Sequence, residues 1–329
     1  MTSPARYHRE AVPRVLTSPR AVLILSWASL VTVILNVATG AAVRLSNSGL
    51  GCPDWPTCAQ RQLTPPLSLH PVVEFGNRMV VVLLVVVCGA TWVAAMIRQP
   101  KRRDLRWLSG GLILGVMAEA VFGAVVVYTH LNAYVVMSHF MIGIALLSVA
   151  VVLTLRANEG PGRGVPVVGN GVLWATRAYL VLLTLAIAAG TATTGAGPHA
   201  GGPDAKRVPI ALSAMSQIHA ETVLVTGGLL LAILWVLWRA DAPGRVQDAG
   251  RVLLAAMALQ GIVGYTQYFT HLPAILVGIH VLGSSIVWSI ALWFHHRLSD
   301  HAPEVLPPSG GPDADESTTP GTEPVSVSA

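Results

Sequence analysis

The chain has 329 residues, of which 53% are hydrophobic and only 11% charged, and its mean hydropathy is +0.61. Soluble domains carry about 25% charged residues, so too few ionic side chains are present to coat a globule in water. A cytosolic enzyme, a nucleic-acid binder and a disordered chain are excluded, and the net charge of +5 is better read as a membrane topology signal.

A spanning helix needs about 20 apolar residues. In chain order such runs fall at 21–44, 72–97, 107–128, 133–155, 173–194, 209–238, 250–270 and 274–296. Helices are the expected form, because the bilayer core offers no water to open backbone groups. Arg6, Arg9, Arg14 and Arg20 precede the first run, and Arg98, Lys101, Arg102, Arg103 and Arg106 join the second to the third. Arg156, Arg163, Arg177, Arg239, Arg245, Arg251 and Arg297 fall on the same side, which holds 16 of the 21 basic residues. Only Arg44, Arg61, Arg78, Lys206 and Arg207 lie opposite. Both termini are therefore expected in the cytoplasm. The first run exceeds an ordinary signal-peptide core and is read as a span rather than a cleaved leader.

Two echoes point to a duplication. Thr129-His130-Leu131-Asn132-Ala133, followed by His139, repeats as Thr270-His271-Leu272-Pro273-Ala274, followed by His280, at an offset of 141; Gly123 pairs with Gly264. Gly40 and Gly51-Cys52-Pro53-Asp54 repeat as Gly190 and Gly201-Gly202-Pro203-Asp204 at an offset of 150. Four helices separate the copies, so the halves are parallel repeats about an axis along the membrane normal. The expected fold is an all-α membrane protein of eight transmembrane helices in two four-helix bundles. A cytoplasmic N-terminus spans 1–20, the first bundle 21–155, a flexible cytoplasmic linker 156–172 and the second bundle 173–297. The Pro-, Ser-, Thr- and acid-rich stretch 298–329 is expected to be a disordered tail.

Polar groups inside a bilayer are costly and are functional candidates. His139 and His280 each lie about six residues inside a helix, on the order of 9 Å below the outer surface, and His219 is on the sixth helix. The duplicated position on the second helix carries Asn77. Histidines on facing helices of a bundle can ligate haem iron axially, and His219 with His280 have the placement of such a pair. Three histidines at matched depth favour haem over the alternative, simple hydrogen bonding to a neighbouring helix. Glu74, three residues before Asn77, is a candidate for proton handling or for stabilising positive charge, with a salt bridge to Arg78 or Arg44 as the alternative. Glu119 and Glu221 receive no role. Cys52 and Cys58, in the first outer loop, are expected to form a disulfide of structural or redox character.

These residues resemble haem A synthase, the haem O-oxidising membrane family, over about residues 20–297. The resemblance rests on Gly40-Ala41-Ala42-Val43-Arg44, Ser48-Gly49-Leu50-Gly51-Cys52-Pro53-Asp54-Trp55-Pro56, Glu74-Phe75-Gly76-Asn77-Arg78, the His139 segment, Gly195-Ala196-Gly197-Pro198-His199-Ala200-Gly201, His219 and His280. It implies oxidation of the C8 methyl of haem O to the formyl of haem A, by successive hydroxylation and loss of water. It also implies a resident haem b held by His219 and His280, a substrate haem O on His139 in the N-terminal bundle, and Glu74 as the carboxylate needed for activity. Implied partners are the lipid bilayer of the cell membrane, an electron donor and a neighbouring haem O synthase. The family commonly has Glu-x-x-His-Arg on helix two; Asn77 stands at its His, so the substrate haem is expected to be five-coordinate or to meet Asn77 through water. Gly202 stands at the echo of Cys52, so a second cysteine pair is missing. Two other classes fit parts of the pattern: a membrane b-type cytochrome that only carries electrons, and a transporter built on parallel repeats.

Overall fold

The computed structural model describes residues 17–59, 64–203 and 205–303. Arg6, Arg9, Arg14, Arg61 and the tail beyond Pro303 lie outside them. Among the described residues eight helices follow one another: α1 Pro19–Leu45, α2 Leu69–Ile97, α3 Arg103–Tyr128, α4 Ala133–Ala157, α5 Asn170–Ala196, α6 Leu212–Arg239, α7 Gly244–Phe269 and α8 Ala274–Arg297. All eight are long and apolar enough to cross a membrane, and the chain is a multi-pass membrane protein.

Helix ends follow local chemistry. At α1, Pro19 takes the first turn and the Ser18 hydroxyl accepts from the Ala21 amide at 3.2 Å, a cap that satisfies one of the open donors. The Asn132 side chain caps α4 by accepting from Tyr134 N. Helices α3 and α7 start earlier than their apolar runs, at Arg103 and Gly244. Their first turns carry Arg103, Asp104 and Arg106, or Arg245, Gln247 and Asp248, polar side chains that a helix presents to water at headgroup level. Guanidinium groups there cover exposed tryptophans, Arg177 over Trp174 at 4.6 Å and Arg239 over Trp235 at 5.5 Å, an interfacial belt of the expected kind.

Helices α1 to α4 close into one four-helix ring and α5 to α8 into a second, and the rings meet where α1 and α4 pack on α8 and α4 on α5. The duplication is visible in the backbone. The outer turns α3–α4 and α7–α8 share an uncommon path, with positive φ at His130 (51°) and Leu131 (58°), and at His271 (62°) and Leu272 (59°). Two consecutive left-handed non-glycine residues are costly, and both turns offset that cost with amide bonds back onto the preceding helix, Leu131 N to Val126 O and Leu272 N to Gln267 O.

The outer end is sealed around Leu131, which is 4% exposed and packs with Ala200 and Ala205. The first outer loop, between α1 and α2, and the third, between α5 and α6, close over it. Gly49 N donates to Gly201 O at 3.1 Å, and Gly201 supplies a φ of +109° that only glycine adopts without strain.

At the cytoplasmic end the α4–α5 connection is tied down rather than flexible. Val165–Pro166 (β1) pairs antiparallel with Ser299–Asp300 (β2), and Gly160 N donates to Ala302 O at 2.7 Å. Residues 298–303, expected to begin a disordered tail, are therefore structured; they find the backbone partners that a solvated linker lacks. Asp104 pairs with Arg102 and Arg156, at 2.7 and 3.0 Å, and Glu159 meets His296 at 2.6 Å. The His301 ring stacks on His296 at 4.1 Å, and burial beside that second imidazole holds His301 below its ordinary pKa.

Close packing of the first outer loop makes a direct test. A Cβ on Gly51 would lie 2.5 Å from the His70 backbone at the start of α2, and backbone cannot rotate away. Gly51→Ala is expected to cost about 1–3 kcal/mol, read as a lower thermal unfolding midpoint in detergent; an unchanged midpoint would show that the loop yields freely.

Candidate functional site

One cavity of about 820 Å³ is lined from both halves, and Glu74, Asn77, His139, His219 and His280 all border it. This is the size of a cofactor pocket. The structure thus brings together the five intramembrane residues for which the sequence suggests a role; Glu119 also borders the cavity and Glu221 does not.

Asn77, His139, His219 and His280 each stand near a glycine on the preceding helix of their hairpin. A Cβ on Gly190 would lie 3.1 Å from His219 Cε1, and one on Gly264 3.0 Å from His280 Cε1. In the first half Gly123 stands 3.9 Å from His139 Cε1 and Gly40 4.0 Å from Asn77 Oδ1, measured the same way. Gly123–His139 and Gly264–His280 keep one offset of 141, while Gly40 and Asn77 reach Gly190 and His219 by 150 and 142. In the second half the glycines have a physical reason, since a Cβ at 3.0–3.1 Å would crowd the ring; in the first half a Cβ would make only ordinary contact.

In the second half the imidazoles of His219 and His280 face each other with ring centres 6.2 Å apart and planes at 86°. Two imidazoles gripping one iron from opposite sides, with metal–nitrogen bonds of about 2 Å, have ring centres roughly 6 Å apart. His219 Nδ1 donates to the Ala186 carbonyl at 2.9 Å. A carbonyl can only accept, so this bond fixes the tautomer that leaves Nε2 with its lone pair. His280 Nδ1 is buried and has no hydrogen-bond partner among the described residues. The pair fits a haem iron.

The first half is built differently. The Asn77 oxygen accepts from the Thr39 hydroxyl at 2.7 Å, so it is already engaged with α1. His139 faces Glu119 of α3, with Nδ1 3.6 Å from Oε1. Glu74 is 5% exposed, and its carboxylate accepts from Cys52 N at 2.8 Å and pairs with Arg78 at 2.6 Å. Arg78 also donates to the carbonyls of Cys52, Asp54 and Thr57. Glu74 and Arg78 together are the floor on which the first outer loop rests, and of the two salt bridges considered for Glu74 it is Arg78 that forms one.

That loop is closed by a disulfide between Cys52 and Cys58, as the sequence leads one to expect, and both cysteines are buried. Cys88 is free and buried in α2. His70 Nδ1 sits 3.0 Å from the Ser48 hydroxyl and helps to hold the loop.

Arg44 is the residue whose role the sequence does not reveal. From the last turn of α1 it crosses to the second half, Nε donating to His199 O at 3.0 Å and Nη1 to Thr191 Oγ1 at 3.3 Å. His199 in turn binds Leu272 O through Nε2 at 2.8 Å. Its motif is visible in the chain, but a bond over 155 residues leaves no local signal.

A family model described as "Cytochrome oxidase assembly protein" (COX15-CtaA) matches residues 23–70 and 68–292. The chain belongs to this family. Curated relatives named heme A synthase are similar to part of it: that of Geobacillus kaustophilus (strain HTA426) is 35% identical over 131 residues, 38% of this chain and 40% of the relative. The Geobacillus thermodenitrificans protein is 35% identical over 132 residues, 39% of this chain and 41% of the relative, and that of Symbiobacterium thermophilum 30% over 144 residues, 43% and 46%. The chain spans about two fifths of the length of the first relatives it matches.

Arg78 carries the loop, so Arg78→Gln is expected to raise the rate at which an added thiol reduces Cys52–Cys58. Gel-shift counting of newly exposed thiols measures this; a rate equal to that of the unaltered protein would show that burial alone protects the bond.

Proposed function

We propose that this protein is a haem A synthase that converts the C8 methyl of haem O into the formyl group of haem A. The observation that carries the reading is an asymmetric duplication around one cavity. The second half presents two imidazoles at iron-gripping separation, whereas in the first half the cavity is bordered by His139, Asn77 and the Glu74 carboxylate. A protein that only carries electrons gains nothing from leaving one ligand position without an imidazole.

In this reading His219 and His280 hold a resident haem b, which when bound supplies one-electron redox chemistry. His139 is the axial ligand to the substrate haem O. Asn77, engaged by Thr39, leaves the opposite side of the substrate iron without an imidazole. Conversion of methyl to formyl replaces two hydrogens on one carbon by an oxygen, a four-electron oxidation that needs an external oxidant. In two hydroxylations by dioxygen, each step takes up two electrons from the donor and two protons, and the diol then loses water. Glu74, fixed by Arg78 and Cys52 N, is held to one geometry from which to handle the protons that these steps move. The disulfide loop shields that carboxylate from outer water, with Trp55 and Pro56 bordering the cavity. The partners that follow are a donor of electrons and an enzyme delivering haem O. The relatives named heme A synthase support the reading over the shared stretch.

Membranes containing the protein and a source of haem O are expected to accumulate haem A, assayed by extraction and chromatography. Well-expressed protein with haem O unchanged would overturn the reading. Pyridine haemochrome spectra showing haem b alone would favour the electron carrier, and a colourless protein the transporter. His219→Ala and His280→Ala are each expected to lose the low-spin haem b absorbance. Glu74→Gln is expected to abolish conversion while keeping that absorbance; retained turnover would remove Glu74 from the chemistry.

A further inference from the structure

The two halves differ at a second pair of positions that the proposed function leaves unused. Glu119 on α3 is 6% exposed, and its Oε1 has no hydrogen-bond partner among the described residues. The same is true of His139 Nδ1, and these two buried atoms face each other at 3.6 Å. That is just beyond hydrogen-bond range, and each supplies the partner that the other lacks. At the duplication offset of 141, the counterpart of Glu119 is Gln260. Its amide nitrogen donates to the main-chain oxygen of His280 at 2.5 Å rather than to the ring, and His219 leans on a neutral carbonyl, that of Ala186. Of the three imidazoles at ligand positions, His139 is thus the one backed by a carboxylate.

We infer that Glu119 is a positioning residue that accepts a hydrogen bond from His139 Nδ1–H and makes this imidazole a stronger donor to iron than either histidine of the second half. The inference rests on the reading of His139 as the axial ligand to the substrate haem. A ligating histidine that gives its second N–H to a carboxylate becomes more basic. A more basic axial ligand stabilises the oxidised iron and lowers its potential. The bond also fixes the tautomer with Nε2 free to ligate. Gly143 leaves room for the carboxylate, since a Cβ there would lie 3.7 Å from Oε1. The duplicated sites would then differ in character, with a neutral-backed pair in the second half and a carboxylate-backed ligand where the substrate is oxidised.

The test uses the full chain in detergent, loaded with excess haemin and titrated potentiometrically by visible absorbance. His139→Ala identifies the component belonging to the first half, and His280→Ala that of the second. Glu119→Gln is expected to raise the midpoint potential of the His139-dependent component and to leave the other unchanged, which also reports that the variant is folded. Glu119→Asp keeps the carboxylate and is expected to lie closer to the unaltered protein than Glu119→Gln does. An unmoved His139-dependent potential in Glu119→Gln, or Glu119→Asp displaced as far as Glu119→Gln, overturns the inference and leaves the haem sites standing. A titration with no His139-dependent component overturns it together with the reading beneath it.

Discussion

An imidazole on a membrane helix needs space, and here the space comes from a glycine on the helix beside it. The tight pairs are Gly190–His219 and Gly264–His280, and Gly40–Asn77 and Gly123–His139 hold the matching places in the first half at ordinary contact distance. In hydrocarbon no water competes for a misplaced polar group, so a ring turned outward would stay unsatisfied. With these positions turned to the cavity, bulky apolar side chains such as Val86, Leu114 and Ile262 are exposed on the outside of the bundles, while others such as Leu112 and Phe294 fill the core.

The number and order of spans are legible in the sequence because apolar length is a one-dimensional property. So is the duplication, whose histidines and glycines keep fixed offsets, and the Cys52–Cys58 bond, in which a short loop leaves few choices. Helix starts are less legible: Arg103 to Arg106 and Gly244 to Asp248 look like loop to a hydropathy reading, yet they are helix at the headgroup level. What stays hidden is rotation about each axis and contact across distance. Glu119 is visible as an intramembrane acid, but nothing in its neighbours says that it faces His139. Likewise Arg44 reaches Thr191 and His199 only because α1 lies against the second half. The linker misleads for another reason: its Gly-rich composition describes an isolated segment, whereas the partner strand arrives from beyond α8.

The two ends of the molecule are held by different means. At the outer face small residues and tight backbone turns hold the loops, with Leu131 plugged between the first and third loops and Arg44 crossing between halves. At the cytoplasmic face charge does so, through the Asp104, Glu159 and arginine cluster. The outer arrangement suits a site that must exclude water, because it adds few ionic groups near the cavity. The exceptions are Glu74 and Arg78, which neutralise each other, and Arg44, which is bonded to His199 and Thr191.

Pairing of Val165–Pro166 with Ser299–Asp300 has an architectural corollary. The polypeptide passes from one half to the other through a strand that its own later segment stitches in place, so the covalent bridge between the halves doubles as a seam. Any domain or label appended downstream of Pro303 would depart from beneath that seam, at the junction of both rings, and not from the foot of the last helix.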